Sequence, residues 1–404
     1  MADEKTGGNM VIAQSGGPTM VINQSLVGAV LEAKKHKEIK GIYGARHGIE
    51  GVLREDFIDL RKERPATLEQ VANTPSSALG SVRKKPTPED CKQIFQVLRR
   101  YGVRYFFYIG GNDSADTAHI IHEQAVKGHY DLTCFHICKT IDNDLRENDH
   151  TPGFGSGARF VAQAFMGDNL DNRALLGVKI NVIMGRDAGF LTASAALARQ
   201  YPDDGPHLIY LPERPFAVNQ FVKDVKAVYE KLGRCVVAIS EGIRNAKGKR
   251  IAAAFTKGVD SHGNVQLGGT GALGDWLASL VKRKSDISRI RADTFGYLQR
   301  SFAGLVSPVD AREARASAIF AVKTAVQNIS GSVAIKRQPG KKYGVRYECV
   351  PLASVAKETR HMPDKFITPA GNDVTRAFIE YARPLAGPLP KMGRFRCIRV
   401  KKVI

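Results

Sequence analysis

Asp142 and Asp144 stand two residues apart in the run CKTIDNDL (138–145), three residues after Lys139. In an extended segment the two carboxylates share one face and Lys139 takes the opposite parity. A carboxylate so placed can accept the proton of an attacking hydroxyl. A second carboxylate nearby can bind a divalent cation or orient the first. The purely structural alternative is an Asx-turn. A companion run, IGGNDSADT (109–117), places Asn112 and Asp113 just beyond a glycine pair that permits a close turn. Asn112 can orient a hydrated cation through its carbonyl, and Asp113 can bind metal or repel an anion. Helix capping accounts for one polar residue here but not for the whole set.

Other runs repeat the plan of an apolar strand breaking into a polar turn. SGGPT (15–19) brings backbone N–H groups of Gly16 and its neighbour to a strand–helix junction suited to an anion. It lacks the GK[ST] ending of a Walker A loop. VIMGRDAG (182–189) offers Met184, Gly185 and Arg186, with the guanidinium at the start of an expected helix. AISEGI (238–243) ends a strand in Glu241, whose carboxylate can accept hydrogen bonds from sugar hydroxyls. RADTFGYLQRS (291–301) carries Arg291, Tyr297, Gln299 and Arg300, a set that could clamp a sugar phosphate.

Two patterns argue the other way. GGTGALG (268–274) has dinucleotide-fold spacing, but the strand before it would span only 265–267 and it comes late in the chain. Cys134, His136 and Cys138 share one strand face, yet the outer two are about 13 Å apart, too far for one zinc ion without a sharp bend. Structural burial is the better reading of that trio.

These residues need strands and helices to hold them. Apolar stretches read as buried strands at 10–14, 105–109, 133–137, 178–184, 207–211 and 234–240. Amphipathic stretches read as helices at 21–35, 88–100, 115–126, 157–169, 188–200 and 217–232. Strands alternating with helices imply βαβ units and largely parallel sheets, whose carboxyl edges are where ligands bind. The polar stretch 147–156 is the best boundary. The expected division is a first lobe at 1–146, a second at 147–300 and a basic segment at 301–404 that packs back on both.

The chain has 404 residues and a formal charge of +20. An excess of eleven positive charges follows residue 335. Such a balance favours phosphate-bearing partners, but no zinc-finger, RNP or basic-zipper pattern points to nucleic acid. No run approaches the roughly 18 apolar residues that cross a bilayer, and the polar start does not read as a signal peptide. The six cysteines lack disulfide-framework spacing, so free buried thiols in a reducing cytoplasm are expected.

Taken together, SGGPT, GSVRKK (80–85), GGNDS, KTIDND, MGR, SEG and GYLQR follow the order found in the phosphofructokinases, which the chain resembles over residues 10–310. The resemblance implies two Rossmann-like three-layer α/β/α lobes with the active site in the cleft between them, fructose 6-phosphate as acceptor and Mg²⁺ as cofactor. It also implies a cytoplasmic homodimer or higher oligomer. By position, Asp142 matches the catalytic base and Gly16 a donor-phosphate glycine, with Arg83 and Lys84 on the donor side. Thr140, Ile141, Asp144, Met184, Gly185, Arg186, Glu241, Tyr297, Gln299 and Arg300 match acceptor and transition-state contacts. Arg291 resembles an arginine that reaches a neighbouring subunit. Asn112 departs from the family by standing where many members place a metal-holding Asp. Gly177 replaces a second intersubunit arginine, a role left to Lys179 or a C-terminal basic residue.

Two positions separate the branches of the family. ATP-using members resemble GGDGS and GTIDND; pyrophosphate-using members resemble GGDDS and KTIDND. Asp113 fills the space of a nucleotide's α-phosphate with a carboxylate, and a repulsive element often sets specificity. Lys139 then supplies charge to the short donor. The resemblance implies Mg-dependent, reversible phosphoryl transfer from pyrophosphate to the 1-hydroxyl of fructose 6-phosphate. An ATP-dependent kinase and a non-catalytic sugar-phosphate sensor on the same fold remain the alternatives, and a related acceptor such as sedoheptulose 7-phosphate stays open.

Overall fold

The computed structural model describes residues 7–255, 271–340, 342–356, 359–396 and 398–400. Eleven strands among them form two sheets. In chain order they are β1 (Gly8–Gln14), β2 (Ile39–Ala45), β3 (Phe57–Asp59), β4 (Val103–Gly110), β5 (Thr133–Cys138), β6 (Val178–Ile183), β7 (Leu208–Tyr210), β8 (Cys235–Ser240), β9 (Ile290–Thr294), β10 (Gly331–Arg337) and β11 (Val345–Val350). The first sheet runs β11-β10-β5-β4-β1-β2-β3 and the second β7-β8-β6-β9. The second is parallel throughout. In the first, only the edge pairs β2–β3 and β10–β11 are antiparallel.

Parallel strands covered on both faces read as continuous apolar runs, and here the alternation divides each run between two cores. Met10 and Ile12 of β1 point into one core with Phe107 and Ile109 of β4. Val11 and Ala13 point into the opposite core with Phe106 and Tyr108. The second sheet divides likewise, with Val237 and Ile239 on one face and Val236 and Ala238 on the other.

The helix Pro88–Arg100 follows its sequence signals end to end. Thr87 and Asp90 close a capping box, Pro88 opens the first turn, and Arg99 and Arg100 sit in the last. Other elements depart from expectation. Residues 188–200 form only the turn Phe190–Ala193 and a 3₁₀ stretch, Ser194–Ala198, so Arg186 lies in a loop before a short helix. The short strand read at 265–267 lies outside the described residues. Residues 301–404 do more than cover the lobes. They add β10 and β11 to the first sheet. Their helix Pro308–Ala325 packs so closely on the helix Ile22–Ala33 that a Cβ at Gly28 would come 2.7 Å from the Arg315 carbonyl.

Four of the cysteines are free and buried, but Cys349 is exposed because β11 is an edge strand; Cys397 lies outside the described residues. Among the described residues no helix is long and apolar enough to cross a membrane.

Candidate active site

Five loops leave the carboxyl ends of β1, β4, β5, β6 and β8 and meet around a cavity of about 350 Å³ between the two sheets. The strand order reverses at β1 and again at β6, the topological position where open sheets gape and bind ligands. Six cationic side chains line the cavity, Arg83, Lys84, Lys85, Lys139, Arg186 and Arg300. Six carboxylates face them, Asp113, Asp116, Asp142, Asp144, Asp187 and Glu241.

Each loop is shaped by its own chemistry. Gly16 takes φ +74° after β1, and its carbonyl accepts from Ser81 Oγ at 2.5 Å. A Cβ at Gly17 would come 2.7 Å from the Arg300 guanidinium, so glycine lets that cation approach the backbone. After β4, Gly111 is the N-cap of the helix Asn112–Lys127, and no side chain caps it. Asn112 and Asp113 are therefore not capping residues, and both line the cavity.

After β5 the chain bends rather than staying extended. Asn143 adopts φ +60°. Its side chain holds that left-handed turn by accepting from Thr151 N at 3.0 Å and donating to Tyr381 Oη at 2.6 Å. The shared face of Asp142 and Asp144 thus comes from a turn, not from strand pleating, and the same turn lets Lys139 line the cavity beside them. Thr140 Oγ1 accepts from Asp142 N at 3.1 Å and donates to Asp144 Oδ1 at 3.2 Å.

The buried cleft perturbs its ionisable groups. Burial raises Asp142 against the opposing pull of Arg186 and Lys139. Burial and the Asp142 charge together push Asp144 up to about 7. Burial, then Asp142, does the same to Glu241. Burial, reinforced by Arg300, brings Lys139 down to about 7. Opposed shifts among close acids and bases make these groups candidates for proton transfer.

Asn112 Nδ2 donates to Asp144 Oδ2 at 2.8 Å. Its other amide atom, Oδ1, is buried and has no hydrogen-bond partner. That acceptor beside Asp144 is an oxygen donor pair suited to a hard cation. Among the described residues no cluster of three or more His, Cys, Asp or Glu forms a ready-made metal cage. Mg²⁺ characteristically binds through one or two carboxylates and keeps water or phosphate oxygens for the rest, so the donor set fits it.

Of the residues read from sequence, Gly16, Arg83, Lys84, Asn112, Asp113, Lys139, Thr140, Ile141, Asp142, Asp144, Met184, Arg186, Glu241 and Arg300 line the cavity. Gly185, Arg291, Tyr297 and Gln299 do not. Gly185 instead supplies a backbone turn at φ +132°. Buried Gln299 accepts from Met184 N at 3.2 Å. Tyr297 lies half in solvent under the Arg300 guanidinium, 4.4 Å from ring centre to carbon. Arg291 points outward from β9 and donates to the Ile290 carbonyl. Lys179 is engaged by Asp293 and Asp168 outside the cavity. His136 is locked between Ser332 Oγ (2.7 Å) and the Gly110 carbonyl (2.9 Å), and burial lowers it to about 4. It is a core residue, as burial of the Cys–His–Cys trio implied.

The site also includes residues that were not singled out from the sequence. Lys85 reaches Asp113 at 3.2 Å and Asp116 at 3.0 Å, whereas the Lys84 ammonium turns to Asp90 at 2.9 Å. Arg360 donates to the carbonyls of Asn143 (2.5 Å) and Asp149 (2.9 Å), and its backbone N–H donates to Asp144 O at 2.7 Å. The next residues cross to the other lobe, where His361 Nδ1 lies 3.1 Å from Asp187 O and Met362 N donates to Glu213.

The phosphofructokinase family model matches residues 9–325. The chain belongs to the phosphofructokinase family. Within it, the chain is 57% identical over 401 residues to the pyrophosphate–fructose 6-phosphate 1-phosphotransferase of Rhodospirillum rubrum, covering 98% of this chain and 99% of that one. It is 40% identical to the enzyme of the same name from Xanthomonas campestris, covering 94% and 92%. The crystal structure of a pyrophosphate-dependent phosphofructokinase from Marinobacter aquaeolei superposes with a TM-score of 0.84 at 31% identity, covering 98% of both chains. The two α/β lobes expected of a phosphofructokinase are the architecture observed.

Proposed function

We propose that this chain transfers a phosphoryl group reversibly from pyrophosphate to the 1-hydroxyl of fructose 6-phosphate, giving fructose 1,6-bisphosphate and phosphate. The names of the relatives from Rhodospirillum rubrum and Xanthomonas campestris support the reaction. The observation that carries the donor assignment is Asp113, a carboxylate lining the same cavity as Lys139 where ATP-using members have glycines.

Asp142 is the base that takes the proton of the sugar hydroxyl as it attacks phosphorus. Its raised pKa brings it toward the working pH, where a general base is most effective. Lys139, Arg186 and Arg300 offset charge on the equatorial and leaving oxygens. Thr140 orients both Asp142, through its backbone, and Asp144. When bound, Mg²⁺ supplies charge neutralisation to the donor phosphates, and Asn112 Oδ1 and Asp144 are the residues that would hold it. Met184, Arg186, Glu241 and Arg300 form the acceptor side, with Tyr297 shaping the approach through its stack on Arg300.

In this reading the first lobe, 1–146, presents the donor and the second, 147–300, the acceptor. The segment 301–404 braces both. The enzyme works in the cytoplasm as a homodimer or higher oligomer, with Arg291 placed on the outward edge of β9 to meet a neighbouring subunit.

The test is turnover of fructose 6-phosphate by the purified protein with Mg²⁺ and pyrophosphate, followed as formation of the bisphosphate. The reaction should run in both directions. No bisphosphate from pyrophosphate would refute the assignment, and binding of the sugar phosphate without turnover would favour a sensor.

A further inference from the structure

The short helix Leu298–Ser301 follows β9 of the second sheet, yet its Arg300 lies against the loop after β1 of the first. A Cβ at Gly17 would come 2.7 Å from Arg300 Nη1 and 3.9 Å from Arg83 Nη2. A Cβ at Gly16 would come 3.7 Å from Lys139 Nζ. Three cations from three separate segments thus converge on two consecutive glycines. The Arg300 guanidinium stacks on Tyr297 and, among the described residues, makes no hydrogen bond and no ion pair. Stacking occupies its flat face and leaves the N–H groups along its edge for an acceptor.

Such a grouping repels itself while the cavity is empty. Burial, then Arg83, disfavours the charged form of Arg300, against the opposing pull of Asp142 and Glu241. Burial, then Arg300, acts likewise on Lys139. An anion among the three relieves the repulsion and gives the edge N–H groups an acceptor, and phosphate oxygens match the guanidinium fork. The segment that carries Arg300 is tied to the other side of the cavity as well. Gln299, its neighbour, accepts from Met184 N at 3.2 Å, and Met184 lines the cavity. A sugar phosphate held against Met184 and Glu241 therefore steadies the element that presents Arg300 to the donor. Ordering a group once for two ligands makes the second cheaper to bind.

We propose that Arg300 is a ligand of the bound donor as well as of the acceptor, so that each substrate tightens the binding of the other. This rests on the reading that the loop after β1 faces pyrophosphate. The coupling is reciprocal, because binding free energies around a closed cycle must agree.

The experiment is calorimetric binding of methylenediphosphonate with Mg²⁺, a pyrophosphate analogue whose P–C–P link cannot transfer a phosphoryl group. Its Kd is measured with and without saturating fructose 6-phosphate, in the wild type, Arg300→Met and Arg300→Lys. The sugar phosphate should tighten the analogue by about tenfold in the wild type, within the usual range of coupling between two sites. Arg300→Met should weaken the analogue even without sugar and cut the coupling to about threefold or less. Arg300→Lys keeps the charge without the fork and should fall between the two.

Variants that lose affinity for the sugar phosphate while binding the analogue as the wild type does overturn the proposal, because Arg300 would then serve the acceptor alone. A wild type whose analogue affinity ignores the sugar phosphate also overturns it. Should Arg300→Met not fold, Arg300→Lys decides by the same comparison. A wild type that binds ATP but not the analogue removes the underlying donor reading. A wild type that binds the analogue, with Arg300 variants that bind it equally well, removes this inference alone.

Discussion

The Lys139 ammonium donates to the Gly17 carbonyl across 2.6 Å, tying the end of β5 to the loop after β1. That bond places a cation between the loop after β1 and the loop after β5, both of which line the cavity. It also explains why a lysine persists in a cleft that disfavours its charge.

The pH dependence of donor binding follows. Burial, then Arg300, lowers Lys139 to about 7, against the opposing pull of Asp142. In the empty cavity it loses its proton as pH rises through that value, whereas an anionic donor binds best to the charged form. Donor KM should therefore be lowest below about pH 7 and climb above it, by up to about tenfold per unit if the proton is fully coupled to binding. Lys139→Gln should remove that part of the climb. A wild-type KM that runs parallel to the variant's from about pH 6 to about pH 9 would contradict the account.

In the proposed mechanism Asp142 takes the proton of the attacking hydroxyl. Asp142→Asn keeps the shape and removes the base, so kcat should fall by about 10²–10⁴-fold, with KM for the sugar phosphate little altered. Steady-state kinetics in both directions of the reaction checks this, and retained turnover would assign the base elsewhere.

Arg360 links the C-terminal segment to the turn that carries Asp142 and Asp144. Arg360→Ala removes two hydrogen bonds from the carbonyls of Asn143 and Asp149 and leaves the turn between the two aspartates less constrained. Displacement of a reacting group by about 1 Å can cost about a hundredfold in rate, so kcat should fall by about ten- to a hundredfold. Added guanidinium should rescue part of it. A lower melting temperature with unchanged kcat would restrict Arg360 to stability.

Asp310 reaches across from the helix Pro308–Ala325 to accept from Gly153 N (2.9 Å) and Ser156 N (2.8 Å) at the start of the helix Phe154–Ala174. Asp310→Asn offers one acceptor for two donors and should cost about 1–3 kcal/mol at pH 7. Burial raises Asp310 to about 6. A folded-state pKa above the unfolded value means that protonation favours the folded state and that this contribution is lost as pH rises through about 6. The deficit of the variant should therefore widen as pH falls below about 6, where wild-type Asp310 takes up a proton and the Asn side chain cannot. Chemical unfolding at several pH values measures it, and a deficit independent of pH would contradict the assignment.

The framework of the cavity was legible because its parts are local. A buried strand followed by Gly–Gly or by TIDND announces both an element and what stands at its end. β10 and β11 were not legible, because β5, on which β10 pairs, lies almost 200 residues earlier and nothing in the pattern of either strand names it. Lys85 was hidden beside Arg83 and Lys84, since only three-dimensional packing decides which consecutive lysine turns to Asp113 and which to Asp90. Arg360 carries no motif, because it acts through backbone carbonyls that any sequence provides. The turn at Asn143 was misread as extended for the same reason, its left-handed conformation being held by Thr151 and by Tyr381 from a distant helix.

The most direct test of the central claim compares pyrophosphate with ATP as donor to fructose 6-phosphate, in the wild type and in Asp113→Gly. The account predicts that the wild type favours pyrophosphate by more than about a hundredfold in kcat/KM, roughly 2.7 kcal/mol of discrimination, and that Asp113→Gly narrows the ratio by admitting ATP. Equal use of the two donors by the wild type, or an Asp113→Gly variant that excludes ATP as strictly as the wild type does, would contradict it.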